Sequence, residues 1–227
     1  METFITIYSI SITIIAYILA KKIYMKYPSP LTTPVFLCTV AIISTLLISN
    51  LHFEDYVVAK DIITYFLGPA TVALAVPLYK NRAIVAKYAI PAISGIILGL
   101  AVTLCIAITI AKLFSFGLNL IQALAVKSVT IPIAVEIMSL YEGDANLAAA
   151  FVLITGILGT MIAPWIMDKC HITMPFARGI AYGTIAHGLG TAHAAQESEF
   201  TGAVAGVAMA IAGIIIALCF PVFYSFL

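Results

Sequence analysis

Lys127-Ser128-Val129-Thr130-Ile131-Pro132 puts a cation, two hydroxyls and a helix breaker within six positions. Lys127 lies ten residues into an apolar run that begins at Gly117, and Glu136 follows nine positions later. At about 1.5 Å of helical rise per residue, the ammonium would sit roughly 15 Å deep, near the middle of a bilayer. A charge there costs at least a few kcal/mol unless partnered or wetted, so it is read as functional by default. For a small carboxylate, the lysine would neutralise charge while Ser128, Thr130 and backbone N–H groups freed by the break would give directional hydrogen bonds. A helix N-terminus at the break would add a positive dipole end. The competing reading is a lysine that snorkels, or that pairs with Glu136 for structure alone. Glu136 itself could carry a coupling proton.

His187-Gly188-Leu189-Gly190-Thr191-Ala192-His193 forms a second constellation, nine residues beyond Arg178. Gly188 and Gly190 would let a solute or another helix approach the backbone, and Thr191 would orient the solute. His187, or less directly His193, could titrate in the physiological range and move a proton. A glycine-rich packing surface with a hydrogen-bonded histidine explains the same residues. A third element, Leu67-Gly68-Pro69-Ala70-Thr71-Val72-Ala73, would present Thr71 and carbonyls opened by Pro69, unless it is a plain kinked helix.

The elements that must hold these residues are membrane helices. The chain is 63% hydrophobic and 9% charged, with mean hydropathy +1.14. Apolar runs fall near 4–20, 31–49, 61–79, 86–111, 118–139, 147–167, 177–196 and 201–226. This pattern predicts an all-α polytopic membrane protein of seven or eight segments, forming one domain over residues 1–227. The first run has lysines after it, not before it, so it is read as a retained span and not a signal peptide. Segments 61–79, 118–139 and 177–196 carry Pro or Gly breaks, which survive at membrane depth only when buried or lining a cavity.

The order plain, broken, long over 31–111 is echoed over 147–226 at an offset of about 117 residues, so two related halves, about 1–112 and 113–227, are expected. Lys21, Lys22, Lys26, Lys80, Arg82 and Lys87 place two loops in the cytoplasm and the N-terminus outside. Lys169 and Arg178 would join them if 118–139 dips in and returns, and the halves would then be inverted.

Net charge of +1 gives no nucleic-acid footprint. Cys38, Cys105, Cys170 and Cys219 show no metal or disulfide spacing. No hydrolase elbow, zinc signature, phosphate loop or nucleotide fingerprint is present, so neither enzymatic activity nor a cofactor or metal is expected.

GPATVALAVPLYK (68–80), KSVTIPIAVEI (127–137), TGILGT (155–160) and ARGIAYGTIAHGLGTAHA (177–194) closely resemble the CidB/LrgB family over essentially the whole chain. That family is also similar to the membrane domain of the plastidal glycolate/glycerate translocator. The resemblance implies two functions. One is a holin- or antiholin-like regulator of murein hydrolase activity and autolysis, acting with a small LrgA/CidA-type membrane partner. The other is transport of small monocarboxylates of the pyruvate, glycolate, glycerate and lactate class across a bacterial cell membrane. The broken segments favour transport, with a proton as the expected coupling ion and membrane lipid and a second copy as further expected contacts.

Overall fold

The computed structural model describes residues 2–27, 29–66, 69, 72, 75–80 and 82–225, and every element among them is helical. The chain divides into two compact units, Met1–Ala73 and Leu74–Leu227. In the first, α1 (Glu2–Lys26) packs on α2 (Pro34–Ile48) and α3 (Phe53–Tyr65). Hydroxyl pairs join them, Tyr8 with Ser49 at 3.0 Å and Thr13 with Tyr56 at 2.9 Å. Thr71 lies outside the described residues, and Pro69 is exposed. The element expected to face the His187 segment is therefore not described at its centre.

The second unit begins with two short helices, α4 (Ala75–Lys80) and α5 (Arg82–Lys87). It then alternates long helices with interrupted ones. Long α6 (Ala89–Leu113) is followed by the short pair α7 (Leu118–Ala125) and α8 (Ile131–Leu140). Long α9 (Ala145–Lys169) is followed by α10 (Pro175–Glu197), and α11 (Glu199–Tyr224) closes the chain. Helices α1, α6, α9 and α11 are long and apolar enough to cross a membrane. Their outward faces are apolar: Ile90, Leu98, Leu158 and Leu218 are all exposed. Lipid can cover such faces at no cost, whereas water could not.

Both interrupted segments fold back on themselves. Gln122 near the start of α7 reaches the Tyr141 carbonyl just beyond α8 (3.4 Å), which requires the chain to turn back between them. Segment 175–197, expected as a broken span, also folds back on itself. Arg178 and Glu197 form an ion pair at 2.6 Å, although a continuous helix would separate them by about 28 Å. The reversal is at His187 (φ 41°, ψ −127°), the one non-helical residue of α10. The segment expected to dip and return, 118–139, does so, and 177–196 does so as well.

The folded chain displays a repeat with a period of 56 residues. Helices α6 and α9 have 25 residues each and run 89–113 and 145–169. Each ends in the same cap: Ser115 and His171 take left-handed φ of 53° and 56°. The N–H groups bond alike, Ser115 to the Lys112 carbonyl as His171 to that of Asp168, and Phe116 to Ala111 as Ile172 to Met167. These are closing turns that satisfy orphan helix carbonyls. The hairpin clasps Gln122–Tyr141 and Arg178–Glu197 are likewise 56 positions apart.

Candidate functional site at the meeting of two hairpins

The first hairpin (α7–α8) has its base at the C-terminal end of α6 and the N-terminal end of α9. The second (α10) has its base at the other end of α9, where Arg178 bonds Asp168 at 2.7 Å and the Ile172 carbonyl at 3.2 Å. Because α9 is about 37 Å long, the hairpins enter from opposite ends. Nine residues from Leu118 to Lys127 and twelve from Pro175 to His187 reach roughly 14 and 18 Å, about one bilayer's apolar thickness in total. The tips therefore meet near mid-depth.

Contacts on the long helices place that meeting. Lys127 Nζ donates to the Thr103 carbonyl of α6 in a long contact of 3.5 Å. Thr184 of the second hairpin lies against Gly99 of α6, its Cγ2 being 3.5 Å from where a Cβ would stand. Gly99 and Thr103 are four residues apart, hence one turn apart on one face. On α9, His187 Nε2 lies 2.9 Å from the Val152 carbonyl. A carbonyl only accepts, so Nε2 carries the hydrogen and the ring is held by a donated bond. Val152 also joins Val126 and Val129, from the first tip, in one buried cluster.

The interruptions have local causes. Residues 126–130 are non-helical between the two helices, and Pro132 lacks the N–H a continuous helix would need. Thr130 is extended (φ −75°, ψ 152°) at the N-cap of α8, with no side-chain cap bond. In the second hairpin, a left-handed φ at His187 costs on the order of 1–3 kcal/mol unless its surroundings fix it. Those surroundings are on α9: a Cβ at Gly156 would stand 2.7 Å from the His187 ring, and one at Gly159 2.7 Å from Ala186. The TGILGT glycines thus form the seat for the second tip.

Electrostatically, both tips present the N-terminus of one helical arm and the C-terminus of the other. Their partial charges of about half a unit largely cancel. The ammonium of Lys127 remains as the formal charge. It is half-buried, beside a Ser128 hydroxyl that is buried with no hydrogen-bond partner among the described residues. An anion can be neutralised and hydrogen-bonded at such a place.

Other expected site residues take different places. Thr191 is buried, and its hydroxyl donates to the His187 carbonyl at 2.9 Å, tying down the tip. Gly190 is where the two arms of the second hairpin touch, since a Cβ there would collide with the Tyr182 carbonyl. Gly188 is exposed with open space around it. His193 is buried with its ring 5.3 Å from that of Tyr182, whose hydroxyl donates to Glu197 at 2.6 Å. Glu136 is exposed on α8, and no ion pair among the described residues joins it to Lys127.

Sequence reasoning missed Thr184 and the Arg178–Glu197 clasp. The clasp had a signal: the two residues flank His187 at nearly equal distances, nine and ten positions.

The model of the LrgB-like family matches residues 13–226. The chain belongs to the LrgB-like family. It is 38% identical to the uncharacterized protein YwbG of Bacillus subtilis, over 99% of this chain and 100% of that one. It is 31% identical to YxaC of the same organism, over 93% and 92% of the two chains. The holin-like protein CidB of Staphylococcus epidermidis is 28% identical over 94% and 93%. No solved structure matches. Family and helices together make this LrgB-like chain a multi-pass membrane protein.

Proposed function

We propose that this protein is a secondary carrier of small monocarboxylates, with the solute held where the two hairpin tips meet. The observation that carries the reading is a lysine and an unpartnered buried serine at the tip of a re-entrant hairpin, facing a second hairpin from the other side. Interrupted helices converging on a midplane polar site are a typical arrangement of secondary transporters that work by alternating access. Lys127 neutralises the carboxylate and Ser128 orients it. Thr130, Gly188 and the arm N-termini line the approach. His187, held at the second tip, is the favoured proton carrier, with Glu136 and His193 as further candidates. Positive-inside places Lys80, Arg82, Lys87, Lys169 and Arg178 in the cytoplasm of a bacterial cell. The second hairpin then opens inward, the first outward, and the N-terminus lies outside.

The holin-like name of the CidB relatives favours a second reading, and the family resemblance extends it to a holin- or antiholin-like regulator of murein hydrolase activity that works with a small LrgA/CidA-type membrane partner. Purified protein in proteoliposomes separates the two. The carrier reading expects saturable uptake of labelled pyruvate or glycolate, reduced more than tenfold by Lys127→Met without loss of folded protein. Leakage of large solutes with no saturable uptake, with or without the small partner, would establish the pore reading instead.

A further inference from the structure

Many helix hydroxyls of this protein are committed to a nearby carbonyl. Thr13, Thr39, Thr45, Thr109 and Thr191 donate to the carbonyl four residues back, and Thr160 to that three back. Such back-bonding is how a hydroxyl is ordinarily satisfied in an apolar helix. Among the described residues three buried hydroxyls depart from this, Ser9 in the first unit and Ser128 and Thr184 in the second. Ser128 and Thr184 are 3% and 2% exposed, and neither has a hydrogen-bond partner. A buried hydroxyl left unpaired costs about 1–3 kcal/mol, more than chance should leave twice in one region.

Their positions are related. Ser128 is six residues beyond the clasp residue Gln122, and Thr184 six beyond Arg178. Each stands 13 residues before the other half of its clasp, Tyr141 or Glu197. The 56-residue repeat therefore gives both the same offset in the two hairpins, one entering from each end, with Ser128 in the non-helical tip and Thr184 in the helical arm three residues before His187. Thr184 also meets α6 one turn from the carbonyl that Lys127 touches.

We propose that Thr184 is a solute-binding residue that works as the counterpart of Ser128 on the opposite hairpin. This rests on the carrier reading above, and it adds a specificity to it. The Thr184 methyl marks that residue's place one helical turn along α6 from the Lys127 contact; with the carboxylate at Lys127 and Ser128, its unpaired hydroxyl would serve an oxygen on the adjacent carbon of a solute only a few atoms long. Two hydrogen bonds of about 2.8 Å and a solute of three carbons bridge a gap of roughly 6–8 Å. Thr184 thus selects short acids with a carbonyl or hydroxyl at C2 over the unsubstituted acid of the same length. It does so because that oxygen satisfies a buried group that the unsubstituted acid leaves unpaired.

The test compares pyruvate and propionate, which differ at C2, as substrates of the protein in proteoliposomes and as stabilisers of the purified protein against thermal unfolding. The wild type should prefer pyruvate in both assays. Thr184→Val, which keeps shape and loses the hydroxyl, should lower the pyruvate-to-propionate ratio about tenfold. Thr184→Ser should restore it, and Thr160→Val, removing a committed hydroxyl elsewhere, should leave it unchanged. If Thr184→Val does not yield folded protein, Thr184→Ala is compared with Thr184→Ser in its place. A wild type that carries monocarboxylates but whose ratio survives loss of the Thr184 hydroxyl overturns this assignment alone. A wild type that neither carries nor is stabilised by either acid overturns the carrier reading and this assignment with it.

Discussion

The two hairpins have the same span between clasps and follow equivalent helices, yet they are held by different forces. The second is clasped by charge. Arg178 donates two bonds to Glu197 at 2.7 and 2.6 Å and a third to Asp168, and Tyr182 adds one to Glu197. The first has one amide-to-carbonyl contact of 3.4 Å at its base, with the Gln122 Oε1 oxygen buried and unpartnered. Charge-assisted, forked bonds are roughly twice as strong as neutral ones, and a 3.4 Å contact is weaker still. The tips differ in the same sense. Lys127 occupies the position that the 56-residue repeat assigns to Gly183, and Gly183 is pressed against the Ala205 backbone of α11. One hairpin is locked into the helix bundle where the other carries its charge. A carrier with these parts would keep the second hairpin as a fixed seat and move the first.

Three substitutions bear on that contrast. Gly183→Val should be the most damaging, because a Cβ there meets backbone that cannot rotate away. A loss beyond about 3 kcal/mol, seen as failure to recover monodisperse protein, is expected. Recovery of stable Gly183→Val would mean the second hairpin is not locked against α11. Arg178→Leu comes next. It leaves Glu197 and Asp168 without their cation, and about 2–3 kcal/mol of thermal stability in detergent should go with it. The pair is partly solvated, which keeps the effect below that of a fully buried one. Gln122→Leu should be smallest, about 1 kcal/mol or less, since it removes a long bond together with an orphaned oxygen. Equal losses for Arg178→Leu and Gln122→Leu would dissolve the distinction between a clasped and a loose hairpin.

Much of this was legible from the residues. Lys127, Pro132 and the glycines of 177–196 announced breaks because they are costly or unstable in a continuous lipid-facing helix. Lys169 and Arg178, set beside the echoed order of segments, pointed to a dip and return of 118–139. Other assignments needed the fold. Thr191 and Gly190 read as solute contacts but proved to be the tie and the contact surface of a hairpin, since nothing in the sequence says that a helix doubles back on itself. Glu136 lies within reach of Lys127 in sequence, yet it is exposed on α8 and no ion pair among the described residues joins the two. The expected period of about 117 residues would pair 61–79 with 177–196, and the centre of the former lies outside the described residues. The period seen in the structure is 56, carried by helix lengths, cap angles and clasp positions where residue identities have diverged.

By itself the sequence determined the solvent this protein folds in, its helical class and its LrgB-like family, because hydropathy over some twenty residues and ordered motifs are local properties. It also determined that a cation would have to be accommodated at membrane depth. Tertiary structure alone decided which hydroxyls are already satisfied and which are left open. Hydrogen-bond satisfaction depends on what a folded neighbour brings within about 3 Å, and a sequence holds no such distances. For that reason Thr184 was invisible beside Thr191 until both hairpins were in place.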